Sequence, residues 1–382
     1  MLNYECPPIG GGAGRIAYYI SLYLSLKGHS VIYLTSYFKN TQRIQTVNDN
    51  FKIIRINSLR QKAYSSNIFE MLVWALKTIF YLHKNKEIIS NYKSVIANFT
   101  LPGGLVALYL HLFYKFKYCI ISHGHDIPWF YLRKMFFYHL FTYPLIKIIV
   151  SKAEYVFVQS NEMFKNALSF VGRKNFKKVK RIYNGVDPNF KIDFQKRTKK
   201  DLLNILFVGR LVKQKNVTLL IDALELVKQM NIPFVCYIIG DGKLRRKIQE
   251  KISKYKLKNI KLLGWLPFEE IINYYEKSHV FILPSEVEGM SLALIEAMSS
   301  GLFIITSKTN QETLMSCNYN YSYVLKILSD FEIAEQIQRY YFNFFLKKNF
   351  IDLNLVNQVK EKLSWEKIVN YYEKYLKNCF IV

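Results

Sequence analysis

The chain has 382 residues, too many for one typical domain and enough for two, and its 51% hydrophobic content excludes a disordered protein. The net charge of +26 is uneven, because residues 1–200 hold 30 Lys and Arg against 9 Asp and Glu, whereas residues 201–382 hold 24 against 19. A basic first half implies an anionic partner, and nucleic acid is not expected because no zinc-finger spacing, RNP-like run or basic zipper is present.

The first half alternates apolar runs with helical segments. We predict a helix from Arg15 to Lys27 after a glycine-rich loop, and a longer helix around Ile68–His83. The most apolar stretch, Leu105 to Ile121, is interrupted by Lys115 and Lys117, which favours a buried helix and a strand over a membrane span. The predicted strands are Val31–Thr35, Phe51–Ile56, Ser94–Asn98, Tyr118–Ser122 and Tyr155–Gln159.

Aromatic and basic residues alternate between Trp129 and His139 in the sequence WFYLRKMFFYH. This composition suits the headgroup region of an anionic bilayer, and we expect a peripheral protein at the inner face of the cell membrane, in the cytoplasm. An amphipathic helix that packs these aromatics into its own core is the open alternative. The five scattered cysteines are expected to be reduced core thiols, since no CxxC or Cys/His cluster occurs.

In the second half, predicted strands alternate with predicted helices, and turn residues such as glycine and proline separate them. Its apolar runs are continuous, which predicts a parallel sheet covered on both faces, the doubly wound α/β architecture. The polar segment 191–201 predicts an interdomain linker, with domains at 1–195 and 196–355 and a last helical segment at 356–382. The predicted strands are Asn204–Val208, Phe234–Ile239, Ile260–Leu263, Val280–Leu283 and Phe303–Thr306, with helices at Val217–Met230, Lys243–Tyr255 and after Pro267.

Two acids flank a helix start in the segment PSEVEGMSLALIEAM, residues 284–298. Glu288 lies in the loop and Glu296 on the helix, eight residues apart. The free N–H groups and positive dipole end of the helix suit a diphosphate, and the acids can accept hydrogen bonds from sugar and ribose hydroxyls. The alternative without a ligand is that the two acids only cap the helix, but Glu296 lies beyond the first turn. The neighbouring Glu286 is expected to face solvent.

Cationic residues follow the first strand of the second half. Arg210 comes directly after the strand and Lys215 five residues later, near a helix start. A guanidinium fork and an ammonium charge there can hold a diphosphate from two sides. Lys213 competes for this role, but the spacing favours Lys215.

The glycine-rich loop at residues 9–14 precedes a helix and must be weighed as a dinucleotide site. Arg15 stands where GxGxxG requires a small residue, and the second strand ends in Thr35 where an acid is expected, so NAD binding is not predicted. From the residues alone, a tight turn without a ligand is then the simplest interpretation of the loop.

His123, His125 and Asp126 follow a strand in the sequence SHGHD. Two histidines with an acid at a strand end favour a functional site over a structural one. Metal binding is not expected, because the sequence holds no HExxH, no DxD and no third ligand at a suitable spacing.

Taken in order, these motifs resemble the retaining, nucleotide-sugar-dependent GT-B glycosyltransferases of family 4, from about residue 3 to residue 376. The resemblance implies two Rossmann-like domains facing across a cleft, with a C-terminal helix that returns to the first. It implies transfer from a nucleotide sugar to a saccharide or lipid-linked saccharide in surface polysaccharide biosynthesis, with no cofactor and no metal. The departures are a first strand reduced to residues 2–4 and Gly301-Leu302-Phe303 in place of Gly-x-Pro.

The resemblance also assigns site residues by position. Catalytic roles fall on His123, Asp126, Arg210, Lys215 and Glu288. Donor contacts fall on Gly11, Gly12, Gly209, Gly240, Leu266, Gly289, Met290, Ser291, Leu292 and Glu296. Acceptor-side or structural loops hold Gly14, Asn184 and Asp187. A catalytically silent relative that binds a nucleotide sugar, or a phosphorylase or sugar-phosphate synthase of this fold, remain alternatives, and the sequence does not reveal the sugar, the base or the oligomeric state.

Overall fold

The structure is a computed structural model that describes residues 1–63, 65–130, 136–187, 190–197, 202–347 and 352–380. The chain divides into two compact units. Unit 1 joins Met1–Asn184 to Trp365–Val382, and unit 2 is Gly185–Ser364. The sequence places these boundaries after residues 195 and 355, so the structure moves the first one earlier and the second one later.

The segment predicted as a linker explains the earlier boundary. Where the structure describes it, this segment packs onto unit 2, and Arg197 is fully buried there. Lys196 Nζ and the Asp193 N–H both bind the Glu276 carboxylate, at 2.6 and 3.0 Å. Part of this charged segment therefore contacts unit 2, which sequence composition cannot distinguish from exposure to solvent; residues 198–201 lie outside the described residues.

Unit 1 is built on a sheet whose two halves meet at the first residues of the chain. Its strands are β1 (Val31–Ser36), β2 (Ile44–Asn48), β3 (Phe51–Ile56), β4 (Ser94–Asn98), β5 (Lys117–Ile121), β6 (Tyr155–Val158) and β7 (Val179–Arg181). They form the runs β2-β3-β1 and β4-β5-β6-β7, parallel except at β2. Leu2 bridges both Leu34 and Ala97 in parallel fashion, so a very short central strand joins the runs.

Helices cover this sheet, and their bounds follow local signals. They are α1 (Gly12–Leu26), α2 (Ile68–Lys84), α3 (Lys86–Asn91), α4 (Gly104–Tyr114), α5 (Phe136–Lys152) and α6 (Asn161–Val171). A capping box begins α2, because the Asn67 side chain accepts from the Glu70 N–H while the Glu70 carboxylate accepts from the Asn67 N–H. The apolar stretch that the sequence divides into a helix and a strand is α4 followed by β5.

Unit 2 holds a fully parallel sheet. Its strands are β8 (Leu203–Val208), β9 (Phe234–Ile239), β10 (Ile260–Gly264), β11 (Val280–Leu283), β12 (Phe303–Thr306) and β13 (Ser322–Val324). Its helices are α7 (Val217–Gln229), α8 (Arg245–Lys254), α9 (Phe268–Lys277), α10 (Leu292–Ser299), α11 (Gln311–Ser316), α12 (Asp330–Tyr340) and α13 (Leu353–Lys362). The strand order is β10-β9-β8-β11-β12-β13, which confirms the predicted doubly wound class. The winding direction reverses between β8 and β11, and sheets of this kind bind ligands beyond the carboxyl ends of the strands at that point.

A last helix, α14 (Trp365–Phe380), belongs to unit 1. Trp365 stacks on Tyr19 of α1 with ring centroids 5.5 Å apart, and Tyr372 packs edge-on against Phe157 of β6 at 4.9 Å. Glu373 also pairs with Lys27 at the end of α1, at 3.3 Å. Aromatic packing and this ion pair together attach α14 to the first unit.

Two predictions from composition concern the whole chain. Cys6, Cys119, Cys236 and Cys317 are buried free thiols, which confirms the expectation of reduced core cysteines for the side chains described. Of the helices in the described ranges, none combines the length and the apolar character needed to cross a membrane.

Candidate functional site

The loop after β8 turns one lysine inward. Arg210 and Lys213 are exposed, whereas Lys215 is only 9% exposed. A single helical turn at residues 213–215 and an Asn216 with φ of +49° reorient the chain before α7 begins. The geometry therefore separates the two candidate lysines: Lys215 points into unit 2 and Lys213 into solvent.

The inward Lys215 meets the loop after β11. Its Nζ forms an ion pair with Glu288 Oε1, and Glu288 is 8% exposed. Three further hydrogen bonds join the two loops: the Glu286 N–H donates to Gln214 O at 2.8 Å, Gln214 Nε2 donates to Val287 O, and Asn216 Nδ2 donates to Pro284 O at 3.2 Å. Since β8 and β11 are neighbours, the buried pair lies at the switch point of the sheet.

The start of α10 lies directly after this pair along the chain. Ser291 is the residue that precedes the helix, and its side chain makes no capping hydrogen bond. Gly289 and Leu292 are half-buried, while Met290 and Ser291 are buried. The first N–H groups of a helix have no partner within it, so they can bind an anion.

Glu296 lies in the second turn of α10 and is held by a tyrosine. It is buried, and its Oε2 accepts from the Tyr275 hydroxyl at 2.8 Å. Tyr275 itself is fully buried on α9, against Phe190 and Phe281. Sequence reasoning missed Tyr275, because a tyrosine on an amphipathic helix carries no distinctive signal.

The other end of α10 is held by Arg197. Its guanidinium donates to the carbonyls of Ser300 and Gly301 at 2.8 and 3.0 Å, and to the carbonyl of Tyr275 at 3.0 Å. A cation at a helix C-terminus is favoured by the helix dipole. Arg197 thus fixes the helix whose other end lies by Glu288, although the sequence places it in the linker.

The glycines of unit 2 serve backbone packing. Gly240 has a φ of +131°, and a Cβ there would lie 2.0 Å from the carbonyl oxygen of Gly209. The Gly209 N–H in turn donates to Ile239 O at 2.9 Å. Glycine at position 240 therefore lets the loops after β8 and β9 lie in contact, and Leu266 is half-buried in the loop after β10. Donor contact by these residues stays a prediction.

In unit 1, the loop after β5 is organised around Asp126. One carboxylate oxygen accepts from the Ser122 hydroxyl and the His123 N–H, both at 2.8 Å, and the other accepts from the Thr100 N–H at 2.9 Å. Burial raises the pKa of Asp126, while these hydrogen bonds act in the opposite direction. The Asp126 carboxylate is engaged in holding its own loop, and the catalytic role that the resemblance implies for it stays a prediction.

His123 is enclosed by the end of β4. Its Nε2 lies 3.0 Å from Asn98 Oδ1, and its ring centroid is 4.6 Å from that of Phe99. The amide nitrogen of Asn98 faces Met1 Sδ at 3.0 Å, so the oxygen faces the histidine and Nε2 is the donor. Burial lowers the pKa of His123 to about 3, which keeps the imidazole neutral at neutral pH. Asn98 was not among the predicted site residues.

The glycine-rich loop places Gly11 and Gly12 at the exposed start of α1. The Gly11 N–H donates to Glu5 Oε2 at 3.1 Å, so a carboxylate of the chain itself occupies part of this helix start. A Cβ at the buried Gly14 would lie 3.2 Å from Glu5 Cβ, which indicates close packing. The remaining loop candidates, Asn184 and Asp187, are buried on either side of the unit boundary.

The predicted site residues therefore form one cluster in each unit. Unit 2 brings together Lys215, Glu288, the start of α10 and Glu296; unit 1 brings together His123 and Asp126. Across the ranges that the structure describes, no group of three or more His, Cys, Asp or Glu side chains is placed to hold a metal ion. Independence of metal stays a prediction.

Two family models match the chain, one in each half. The model described as Glycosyltransferase Family 4 matches residues 10–190, and the model described as Glycosyl transferases group 1 matches residues 189–350. Their junction lies close to the boundary between the two units. Together they extend from the glycine-rich loop to the end of α12 and beyond it.

Three curated relatives give the range of similarity. An uncharacterized glycosyltransferase of Methanocaldococcus jannaschii is 28% identical over 72% of this chain and 72% of that protein. The capsular polysaccharide biosynthesis glycosyltransferase CapH of Staphylococcus aureus is 30% identical over 58% of the chain and 62% of CapH. The UDP-Gal:alpha-D-GlcNAc-diphosphoundecaprenol alpha-1,3-galactosyltransferase of Escherichia coli is 39% identical over 27% of the chain and 27% of that enzyme.

Solved structures share the fold along nearly the whole chain. Sucrose-phosphate synthase from Thermosynechococcus elongatus superposes with a TM-score of 0.78 at 18% identity, covering 97% of this chain and 94% of that one. At this level of identity the likeness concerns the fold, and it supports the assignment of both sheets to the two-domain GT-B architecture.

Proposed function

The chain belongs to family 4 of the glycosyltransferases, as its motifs predict, and on that premise we propose that it moves a sugar from a nucleotide-sugar donor to a saccharide or lipid-linked saccharide with retention of configuration. Unit 2 binds the donor and unit 1 provides residues for the acceptor side. The observation that carries the proposal is the buried pair of Lys215 and Glu288 at the switch point of the unit 2 sheet, beside the start of α10.

The donor diphosphate is the natural ligand of the positive groups in this cluster. Arg210, Lys215 and the first N–H groups of α10 approach the carboxyl ends of β8 and β11 from two loops. Charge develops on the diphosphate as the bond from the sugar C1 to the phosphate oxygen breaks. Cationic and N–H groups that are already in place stabilise that charge, and such electrostatic stabilisation is usually the largest contribution to catalysis.

No protein nucleophile is needed in this reaction. The acceptor hydroxyl attacks C1 on the face that the diphosphate leaves, and its proton passes to the departing phosphate oxygen. In the free protein Lys215 and Glu288 neutralise one another; in the donor complex Lys215 turns to phosphate and Glu288 to the sugar hydroxyls. Glu296, oriented by Tyr275, accepts from the ribose hydroxyls.

The residues of unit 1 shape the sugar side. His123 is neutral, so it acts as a hydrogen-bonding group toward the donor sugar rather than as a cation. Asp126 holds the loop that carries it. The exposed glycines at the start of α1 let the acceptor or the donor phosphate approach the backbone, where a bound anion would replace the Glu5 carboxylate on the Gly11 N–H.

The proposed acceptor is a lipid-linked saccharide at the cytoplasmic face of the membrane, in the assembly of a surface polysaccharide. CapH of Staphylococcus aureus is named for capsule biosynthesis, and the Escherichia coli relative is named for transfer to a diphosphoundecaprenol-linked sugar. The surplus of Lys and Arg in residues 1–200 supports an anionic membrane surface as a partner.

Thermal shift and slow donor hydrolysis across a panel of nucleotide sugars test this function. We expect one donor to raise the midpoint of unfolding and to be hydrolysed, with equal rates in chelator and in added magnesium. Stabilisation by a nucleotide sugar without any turnover, with or without lipid-linked acceptors, would favour a silent relative. Turnover that requires free phosphate or a soluble sugar phosphate would instead favour a phosphorylase or a sugar-phosphate synthase.

A further inference from the structure

Helix α2 exposes a row of large apolar side chains. Ile68, Phe69, Leu72, Leu76 and Phe80 recur at helical spacing, and each is about half exposed or more. The opposite face of the helix is already in the core, where Trp74 and Ala75 are fully buried. The exposed row is therefore a second apolar face that the packing of unit 1 does not use.

Two neighbouring helices extend this face. Helix α4 packs against both α2 and α5, so the three lie side by side in one layer. Phe113 of α4 is 68% exposed, and Phe137 and Phe141 of α5 are 73% and 81% exposed. We call the exposed residues of α2 together with Phe113, Phe137, Leu140 and Phe141 the apolar face.

The exposed charged side chains in the described parts of helices α2, α4 and α5 are all basic. Helices α2, α4 and α5 contain a single acidic residue, Glu70. It is buried, and its carboxylate forms capping hydrogen bonds at the start of α2. The exposed lysines of these helices are Lys77 and Lys84 on α2 and Lys152 at the end of α5, and the exposed Lys115 directly follows α4. Lys84 Nζ lies 4.6 Å from the centroid of the Phe80 ring, so cationic and aromatic groups are directly juxtaposed.

We propose that the apolar face docks unit 1 on an anionic lipid bilayer, with the phenylalanines at the boundary of headgroups and acyl chains and the lysines on lipid phosphates. Aromatic side chains bordered by Lys are the composition that the interfacial region of a bilayer favours. A second copy of the chain would bring like charges together, which disfavours self-association through this face. The inference rests on the membrane location in the proposed function, and it does not depend on the transfer reaction.

The structure also bears on residues 129–139, for which the sequence leaves both a bilayer-facing segment and a core-packed helix open. Trp129 is half-buried and its ring lies 6.3 Å from both His139 and Tyr143, so it packs within unit 1. Phe137 and Phe141, one helical turn apart, point outward instead. Part of the aromatic segment thus belongs to the core and part to the apolar face; residues 131–135 lie outside the described residues.

Co-sedimentation of the full chain with vesicles tests the proposal. The vesicles are phosphatidylcholine alone and phosphatidylcholine with increasing phosphatidylglycerol, at low and at physiological salt. We expect binding to increase with phosphatidylglycerol, to weaken with salt, and to fall about tenfold or more for Phe137→Ser/Phe141→Ser and for Leu72→Ser/Leu76→Ser. Lys77→Ala and Lys84→Ala are each expected to lose roughly fivefold in binding to anionic vesicles.

Phe331→Ser provides the matched control, since Phe331 is 65% exposed on α12 of unit 2. It should bind vesicles as the wild type does, and all variants should retain donor hydrolysis and the wild-type unfolding midpoint. Wild-type binding that survives in both double variants would overturn the apolar face as the docking surface. Failure of the wild type to bind any vesicle would refute the membrane location itself, and donor turnover would be unaffected by either result.

Discussion

Both units place polar side chains at the carboxyl ends of a parallel sheet, but they engage them differently. In unit 2, Lys215 and Glu288 pair across two loops, and Arg210 remains exposed. In unit 1, the Asp126 carboxylate accepts three hydrogen bonds from its own surroundings, and His123 is neutral against Asn98. A pair of opposite charges can exchange its partners for a charged ligand, whereas the hydrogen bonds of Asp126 stabilise the conformation of its own loop.

The outer helices of the two units also differ, in the charge and polarity of their exposed side chains. In unit 2 they carry both signs of charge, and Arg246 pairs with Glu250 on α8 while Arg339 pairs with Glu335 on α12. In unit 1, helices α2, α4 and α5 carry exposed apolar side chains bordered by lysine. This difference is what we expect if unit 2 binds a soluble anionic ligand and unit 1 docks on a surface, as proposed above.

The largest expected effect concerns the charge pair of unit 2. Lys215→Ala should lower donor turnover by about a hundred- to thousandfold, because a cation aimed at the departing diphosphate is lost. It should also lower the unfolding midpoint, since it leaves Glu288 buried without its partner. Steady-state turnover and thermal unfolding measure the two effects.

Two matched variants separate stability from catalysis. Lys213→Ala removes an exposed lysine two residues away and should leave both quantities unchanged. Lys215→Gln/Glu288→Gln replaces the ion pair by a neutral amide pair and should recover much of the unfolding midpoint without recovering turnover. Turnover close to wild type in the double variant would contradict a role for the pair in donor binding and catalysis.

A smaller effect concerns unit 1, where burial of His123 should make the free energy of unfolding depend on pH. The pKa of His123 is about 3 in the folded protein against 6.5 as its ordinary value, so the unfolded chain binds more protons between these pH values. Stability from this group is complete above pH 6.5 and is lost as the pH falls toward 3. Relative to His123→Gln, the wild type should lose about 2 kcal/mol between pH 7.5 and pH 5. Urea unfolding at several pH values measures this difference.

Asp126 has a raised pKa and contributes in the opposite direction, but it is present in both proteins and cancels in the difference. His83→Gln, at an exposed position on α2, is the control and should follow the wild type. Parallel pH profiles for wild type and His123→Gln would show that folding does not lower the pKa of His123, which would contradict the effect of burial.

The smallest expected effect concerns the support of Glu296. Tyr275→Phe removes one hydrogen bond to the carboxylate while keeping the buried ring. We expect the donor KM to rise about fivefold with little change in kcat, as one hydrogen bond is worth about 1 kcal/mol. Tyr274→Phe on the same helix is the control, because its ring packs on Tyr237 rather than on α10. Equal KM values in the two variants would remove Tyr275 from the donor site.

Much of the fold could be predicted because buried parallel strands are continuous apolar runs. Phe51–Ile56, Ser94–Asn98, Phe234–Ile239, Val280–Leu283 and Phe303–Thr306 were predicted with the bounds observed. The strands β2, β7 and β13 were missed: each lies at the edge of its sheet, β7 and β13 have only three residues, and β2 is largely solvent-accessible. These strands are stabilised by pairing with a neighbouring strand, and the local amino-acid composition gives little indication of that pairing.

The residues of the candidate site also fall into two groups, those that local spacing predicts and those that only packing reveals. Spacing relative to strand ends identified Lys215, Glu288 and Glu296, because the chain must leave a strand and begin a helix at those positions. Tyr275, Arg197 and Asn98 could not be found in this way. Each reaches the site from another element, and only packing brings Arg197 to the end of α10 or Asn98 to His123.

The sequence by itself determined the doubly wound class, the family and the order of the motifs, because apolar periodicity and local spacing are written along the chain. The tertiary structure alone decided which lysine is buried, that Asp126 is engaged by three donors, and that residues 191–197 belong to unit 2. It also decided which aromatics of α5 remain exposed. These properties depend on contacts between segments that are distant along the chain. Burial and pairing are therefore defined only once the chain has folded.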